Sequence, residues 1–210
     1  FGCAFMWLLM FAAVSAAQQP DDAAAAPGSA SPAAEAKQEQ QQLILLIGAP
    51  GADEYRDEFL KWANRWKETA KRAEIECTVI GETEVESGDR SASPSSAASA
   101  KLTNAEQVKE AIHSAGKKES SEPLWLVYIG HGTFDGRTAS WNLNGPDVSA
   151  EQLADICKDV QRPLAVIACA SCTAPFLNAL SGPDRVIVTA TKDGNQIQYS
   201  RFGDAMSQAI

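Results

Sequence analysis

The chain has 210 residues and a net charge of −9, with only two histidines and five cysteines. That length buries one good core, and without a run of Lys or Arg it offers no face for nucleic-acid phosphates. The acidity bears on solubility rather than on fold.

Residues 1–17, FGCAFMWLLMFAAVSAA, are apolar and end in small residues, with Ser15 and Ala17 suited to the −3 and −1 positions of a cleavage site. About 16 apolar residues are short for a membrane span, so the stretch reads as a signal peptide, predicting export to a periplasm, cell envelope or exterior and no stable membrane insertion after cleavage. Cys3 precedes the apolar run rather than following it, which does not suit a lipid-modified cysteine. A first residue other than Met, and a helical pattern still running at Ile210, read as a fragment. Residues 18–42 are Ala, Gln, Pro, Asp and Ser, too poor in large apolar groups to offset ordering entropy, and read as a disordered linker.

The folded domain is expected over 43–210. Leu43 to Ile47 is a short apolar run closed by Gly48-Ala49-Pro50-Gly51, hence a buried strand. Tyr55, Phe59, Trp62, Ala63, Trp66, Ala70 and Ala73 then recur at helical spacing and form one stripe for packing on a sheet. Ile75 to Ile80 is a second strand, and 87–100 (SGDRSASPSSAASA) is a low-complexity insertion. Thr103, with Glu106 at the capping-box position, opens a helix through Ile112 that carries His113 on its surface. Leu124 to Ile129 is a third strand running into Gly130-His131-Gly132, followed by a loop to Asp147; Ser149 opens another helix. Leu164 to Ile167, ending at Cys169, is a strand buried on both faces; a helix follows, and Arg185 to Ala190 is a fifth strand. Alternating strands and helices predict an α/β fold, a three-layer αβα sandwich with a mostly parallel central sheet.

In such sheets reactive groups gather at the C-terminal ends of strands. His131 stands at one such end and Cys169 at another, 38 residues later. A thiol attacks as thiolate, and an imidazole brought to the same sheet edge can take its proton. The N–H groups of Gly132 and Cys169 then supply two donors for an oxyanion. The competing reading is redox chemistry, because Cys169-Ala170-Ser171-Cys172 is a CxxC between strand and helix. Zinc lacks a second ligand pair, and Cys77 and Cys157 read as core residues, so no metal site or disulfide framework is indicated.

The blocks LVYIGHG and AVIACAS, in that order, resemble the caspase-like (clan CD) cysteine peptidases, most closely the legumain family. GAPGADEYR, the loop after the histidine and VIVTATKDGNQIQYS add to the likeness, which covers roughly 43–210. The resemblance implies a caspase-like fold and a peptide or protein substrate. Hydrolysis would proceed through a thioester with Cys169 as nucleophile and His131 as acid/base, with Gly132 in the oxyanion hole and no cofactor. It also implies a specificity pocket lined by Arg56, with Gln198 at its rim and a preference for Asn or Asp before the cut bond. The sequence departs from the family at Ile167, where relatives carry an acid or amide, and at Cys172, where they carry Gly. A non-catalytic binding module with the same fold is the further alternative.

Overall fold

The computed structural model describes residues 40–82, 102–117 and 119–210. The signal peptide, almost all of the linker and the 87–100 insertion lie outside the described residues.

Thirteen elements follow in order among the described residues: β1 (Gln42–Ile47), α1 (Asp53–Arg72), β2 (Glu76–Ile80), α2 (Asn104–Gly116), β3 (Leu124–Ile129), β4 (Gly132–Phe134), β5 (Ala139–Trp141), β6 (Val148–Ser149), α3 (Ala150–Cys157), β7 (Leu164–Cys169), α4 (Ala174–Leu180), β8 (Arg185–Thr189) and α5 (Phe202–Ala209). Five strands form one parallel sheet in the order β2-β1-β3-β7-β8. This is the α/β, mostly parallel sheet with helices on both faces that the alternation of elements predicts. β1 lies inside the sheet, between β2 and β3, so its C-terminal loop borders that of β3.

The period of two along each strand sends alternate residues to opposite layers. Leu43, Leu45, Ile47, Val127, Ile129, Ile167 and Cys169 face Phe59, Trp62 and Trp66 of α1, with Phe202 and Met206 of α5 beside them. Ile44, Leu46, Leu126, Tyr128, Val166 and Ala168 face the other way, towards Val108 and Ile112 of α2, Leu153 of α3 and Phe176 of α4. The stripe on α1 thus does the packing its spacing predicts, burying Phe59, Trp62, Ala63, Trp66 and Ala70. Cys157 is buried, whereas Cys77 is only half-buried because β2 is an edge strand.

Local signals hold at the helix starts. Thr103 and Glu106 make a reciprocal capping box on α2, and Ser149 and Gln152 make another on α3. Three boundaries differ from expectation, the first being α2, which runs on past Ile112 to Gly116. Gln42 belongs to β1 rather than to the linker, its side-chain amide donating to Glu76 at 2.7 Å on the neighbouring strand. The segment after His131 is no open loop: β4, β5 and β6 form a small antiparallel sheet. Its first turn is stapled by Asp135, whose Oδ1 accepts the N–H groups of Arg137 and Thr138 at 2.8 and 2.7 Å. Asp147 does the same further on, accepting the Leu143 N–H and the Asn142 side-chain amide, both at 2.9 Å.

Candidate active site

Ile129 and Cys169 are register partners at the ends of β3 and β7. Both point into the α1/α5 layer. Continuing the period past Ile129 puts His131 on that same face, where its ring meets Tyr55 edge-on at 4.7 Å and Phe59 at 5.1 Å. The two residues singled out in the sequence therefore share one sheet edge and one face.

Among the described residues the imidazole has one polar partner. Its Nε2 lies 3.1 Å from the carbonyl oxygen of Pro50, in the loop after β1. A carbonyl only accepts, so Nε2 carries the hydrogen, and in the neutral ring the lone pair is left on Nδ1. Sequence reasoning missed Pro50, because the group used is a backbone carbonyl that every residue type carries. It also read Tyr55 and Phe59 as packing alone, although both flank the imidazole.

Gly132 is placed by the antiparallel ladder. Asn142 N–H donates to His131 O and Asp135 N–H to Thr138 O, so 131/142 and 135/138 are hydrogen-bonded pairs. Alternation makes Gly132/Trp141 a non-bonded pair, which turns both backbone groups of Gly132 out of the hairpin. Its carbonyl takes the Ser171 hydroxyl at 3.2 Å, leaving the N–H unused by the ladder. A side chain at 132 would collide with the carbonyl of Ser171, so only glycine fits.

The nucleophile candidate is closed off. Cys169 is 1% exposed, and its thiol makes no hydrogen bond among the described residues, to His131 or to any other group. Gly203, near the start of α5, lies over it. A Cβ added there would stand 3.1 Å from the Cys169 Cβ and collide with the ring of Trp62. Burial pushes the thiol from its ordinary 9.0 up to about 12. A raised folded-state value means stability that is complete below pH 9 and is lost as pH rises towards 12. By linkage about 1.4 kcal/mol of it is gone at pH 10. The stability gap between wild type and Cys169→Ala, from urea melts, should therefore shrink by that amount between pH 7 and pH 10. An unchanged gap would mean that the thiol is solvated.

The segment that leads from β8 to Gly203, Ala190 to Phe202, runs along the same edge. Thr173, fully buried, donates its hydroxyl to Ala170 O and accepts the Ala190 N–H, both at 3.1 Å. Thr191 Oγ1 in turn accepts the N–H groups of Thr173 and Ala174 at 2.9 and 3.1 Å. Cys172 donates its N–H to Gln196 O at 3.0 Å. Tyr199 then stacks on Trp62 at 6.1 Å and lies 4.9 Å from Tyr55 and 6.2 Å from His131. Its hydroxyl is buried without a partner among the described residues, and burial, with Glu58 and Tyr55 adding to it, pushes its pKa up to about 12.

Cys172 adopts a φ of +58°, a left-handed conformation that a side chain disfavours. Its thiol points to Gln196 O at 3.7 Å, and it forms no disulfide with Cys169. Arg56 lies half-buried at the start of α1, in a 2.6 Å ion pair with Asp53. It lines a hollow of about 10 Å³ with Gly48, Pro50 and Gly81, towards β2, whereas Tyr55 turns towards His131. Gln198 is exposed, two residues beyond the Gln196 that holds Cys172. The structure thus brings His131, Gly132 and Cys169 to one edge, with Arg56 on the first turn of α1, towards β2, and Gln198 in the exposed loop before α5. No protein-family model matches the chain, and no curated protein matches it in sequence.

Proposed function

We propose that the chain is a cysteine endopeptidase of caspase-like, legumain-related type, hydrolysing peptide bonds with Cys169 as nucleophile and His131 as acid/base. The observation that carries the reading is the Nε2–H bond to Pro50. It fixes the tautomer and leaves Nδ1 as the basic nitrogen of a ring that meets Phe59 in the layer the thiol faces. Nδ1 takes the thiol proton, and the thiolate attacks the carbonyl carbon of the scissile bond. The oxygen that becomes negative is received by the N–H of Gly132, whereas the N–H of Cys169 is turned towards β3 by the parallel ladder and joins only if the end of β7 is released. The imidazolium then protonates the leaving amine, giving a thioester. Water, deprotonated by Nδ1, attacks the thioester, the acid product leaves, and the thiol is restored. Thiol, imidazole and backbone donors suffice, so this reading calls for no cofactor.

In the closed arrangement no substrate carbonyl reaches Cys169, so catalysis requires the chain from Ala190 to Gly203, whose last residue lies over the thiol, to shift first. The apolar run at residues 1–17 supports an exported protein, with peptide or protein substrates outside the cytoplasm. Arg56 would bind the side chain of Asp or Asn before the cut bond once its pairing with Asp53 is exchanged for the substrate.

A peptide library offered to the wild-type protein and to His131→Ala tests this. Cleavage after Asp or Asn by wild type only, together with a peptide electrophile found on Cys169 by mass spectrometry, is the expected result. Labelling of Cys169 that is indifferent to His131, with no cleavage of any peptide, would refute it.

A further inference from the structure

We infer that the hydroxyl of Tyr128 is a positioning group for His131, setting the hydrogen bond between the imidazole and Pro50 from within the core. This rests on the reading of His131 as the acid/base. Tyr128 is fully buried on the far side of the sheet from Cys169, its ring stacked on Trp141 at 4.4 Å. Its hydroxyl lies 2.6 Å from His131 O and 3.0 Å from Asn142 O, so one proton is shared between two carbonyls. Space for it is made by two glycines. A Cβ at Gly48 would come within 2.5 Å of the hydroxyl, and one at Gly130 would overlap it.

Each carbonyl leads to one side of the catalytic contact. His131 O belongs to the residue whose ring must be aimed. Asn142 O also accepts the Ala49 N–H at 2.9 Å, and Ala49 is bonded to Pro50, whose carbonyl aims it. Donor and acceptor of the Nε2–H···O=C bond therefore hang from one hydroxyl, although they come from different strands. Both carbonyls keep a backbone partner without it, since His131 O also accepts the Asn142 N–H at 3.0 Å. Loss of the hydroxyl thus leaves the fold and frees the spacing between the β1 and β3 loops. Small misplacements of a reacting group are costly in rate.

Tyr128→Phe keeps the ring and removes the oxygen. NMR of 15N-labelled histidine, in a His113→Gln background so that only His131 reports, reads the tautomer directly. Wild type should show a single form protonated on Nε2, and Tyr128→Phe a mixture. With a cleavable peptide the variant should lose roughly 10-fold in kcat with KM within about twofold, the pattern of a misaimed group rather than of lost binding. An unchanged tautomer with unchanged kcat would overturn the inference, as would a wild-type ring protonated on Nδ1. A tautomer change in a protein whose wild type cleaves no peptide would keep the positioning role and reject the peptidase reading. Should Tyr128→Phe not fold, wild type still decides: its phenol proton should exchange slowly with solvent, and prompt exchange would count against the inference.

Discussion

Cys169→Ala should abolish peptide cleavage, a fall in kcat/KM of ~10³-fold or more for loss of a nucleophile, whereas Cys172→Ala should retain most of it. The sulfurs are three residues apart but differently placed. Cys169 ends β7 in register with Ile129 and faces the layer that holds His131. Cys172 lies beyond the strand, and its thiol is turned to Gln196 O. Steady-state kinetics on the two variants separates the readings of the CASC motif. A peptidase depends on one sulfur, and a dithiol oxidoreductase on both. Equal losses from the two substitutions, with disulfide reduction by wild type, would replace the peptidase reading with the redox one.

The sheet was legible because its strands are apolar runs with β-branched members, closed by Gly-containing turns, and because the helices between them carry clear stripes or capping boxes. Thr103 with Glu106 is the plainest case, since a local sequence pattern specifies two hydrogen bonds that do form. The β4–β6 sheet was not legible. Its strands are two or three residues long, too short for a period to show, and its order comes from the Asp135 and Asp147 carboxylates. Of the site, the side chains with distinctive chemistry, His131 and Cys169, could be singled out from their places at strand ends. The carbonyl of Pro50 and the N–H of Gly132 could not be assigned geometry, because backbone groups are the same at every residue. Nor does any spacing announce that Gly203 and Tyr199, more than thirty residues beyond Cys169 or nearly so, fold back over that edge.

That cover is the basis of the second large effect: Tyr199→Ala should make Cys169 react roughly 10- to 100-fold faster with a small alkylating agent at fixed pH. Tyr199 is half-buried, and its ring fills the space between Tyr55, Trp62 and His131. Truncating it removes about 1.5–3 kcal/mol of apolar contact from the closed arrangement. Its hydroxyl, buried without a partner among the described residues, makes no hydrogen bond there that the truncation would lose. If alkylation proceeds through brief opening of residues 190–203, the open population rises by the corresponding factor, since 1.4 kcal/mol is tenfold. The latch at the other end of the segment is untouched, because Thr173 and Thr191 lie on the β7–α4 turn and just after β8. Opening should therefore be local, and the urea midpoint should fall far less than global loss of α5 packing would require. Iodoacetamide kinetics followed by peptide mass spectrometry reads each cysteine separately, with the buried Cys157 as the internal control for global unfolding. Acceleration at Cys169 alone supports a cover that lifts. Equal acceleration at Cys169 and Cys157 would show that reaction proceeds through unfolding of the whole domain, and that Tyr199 is an ordinary core contact.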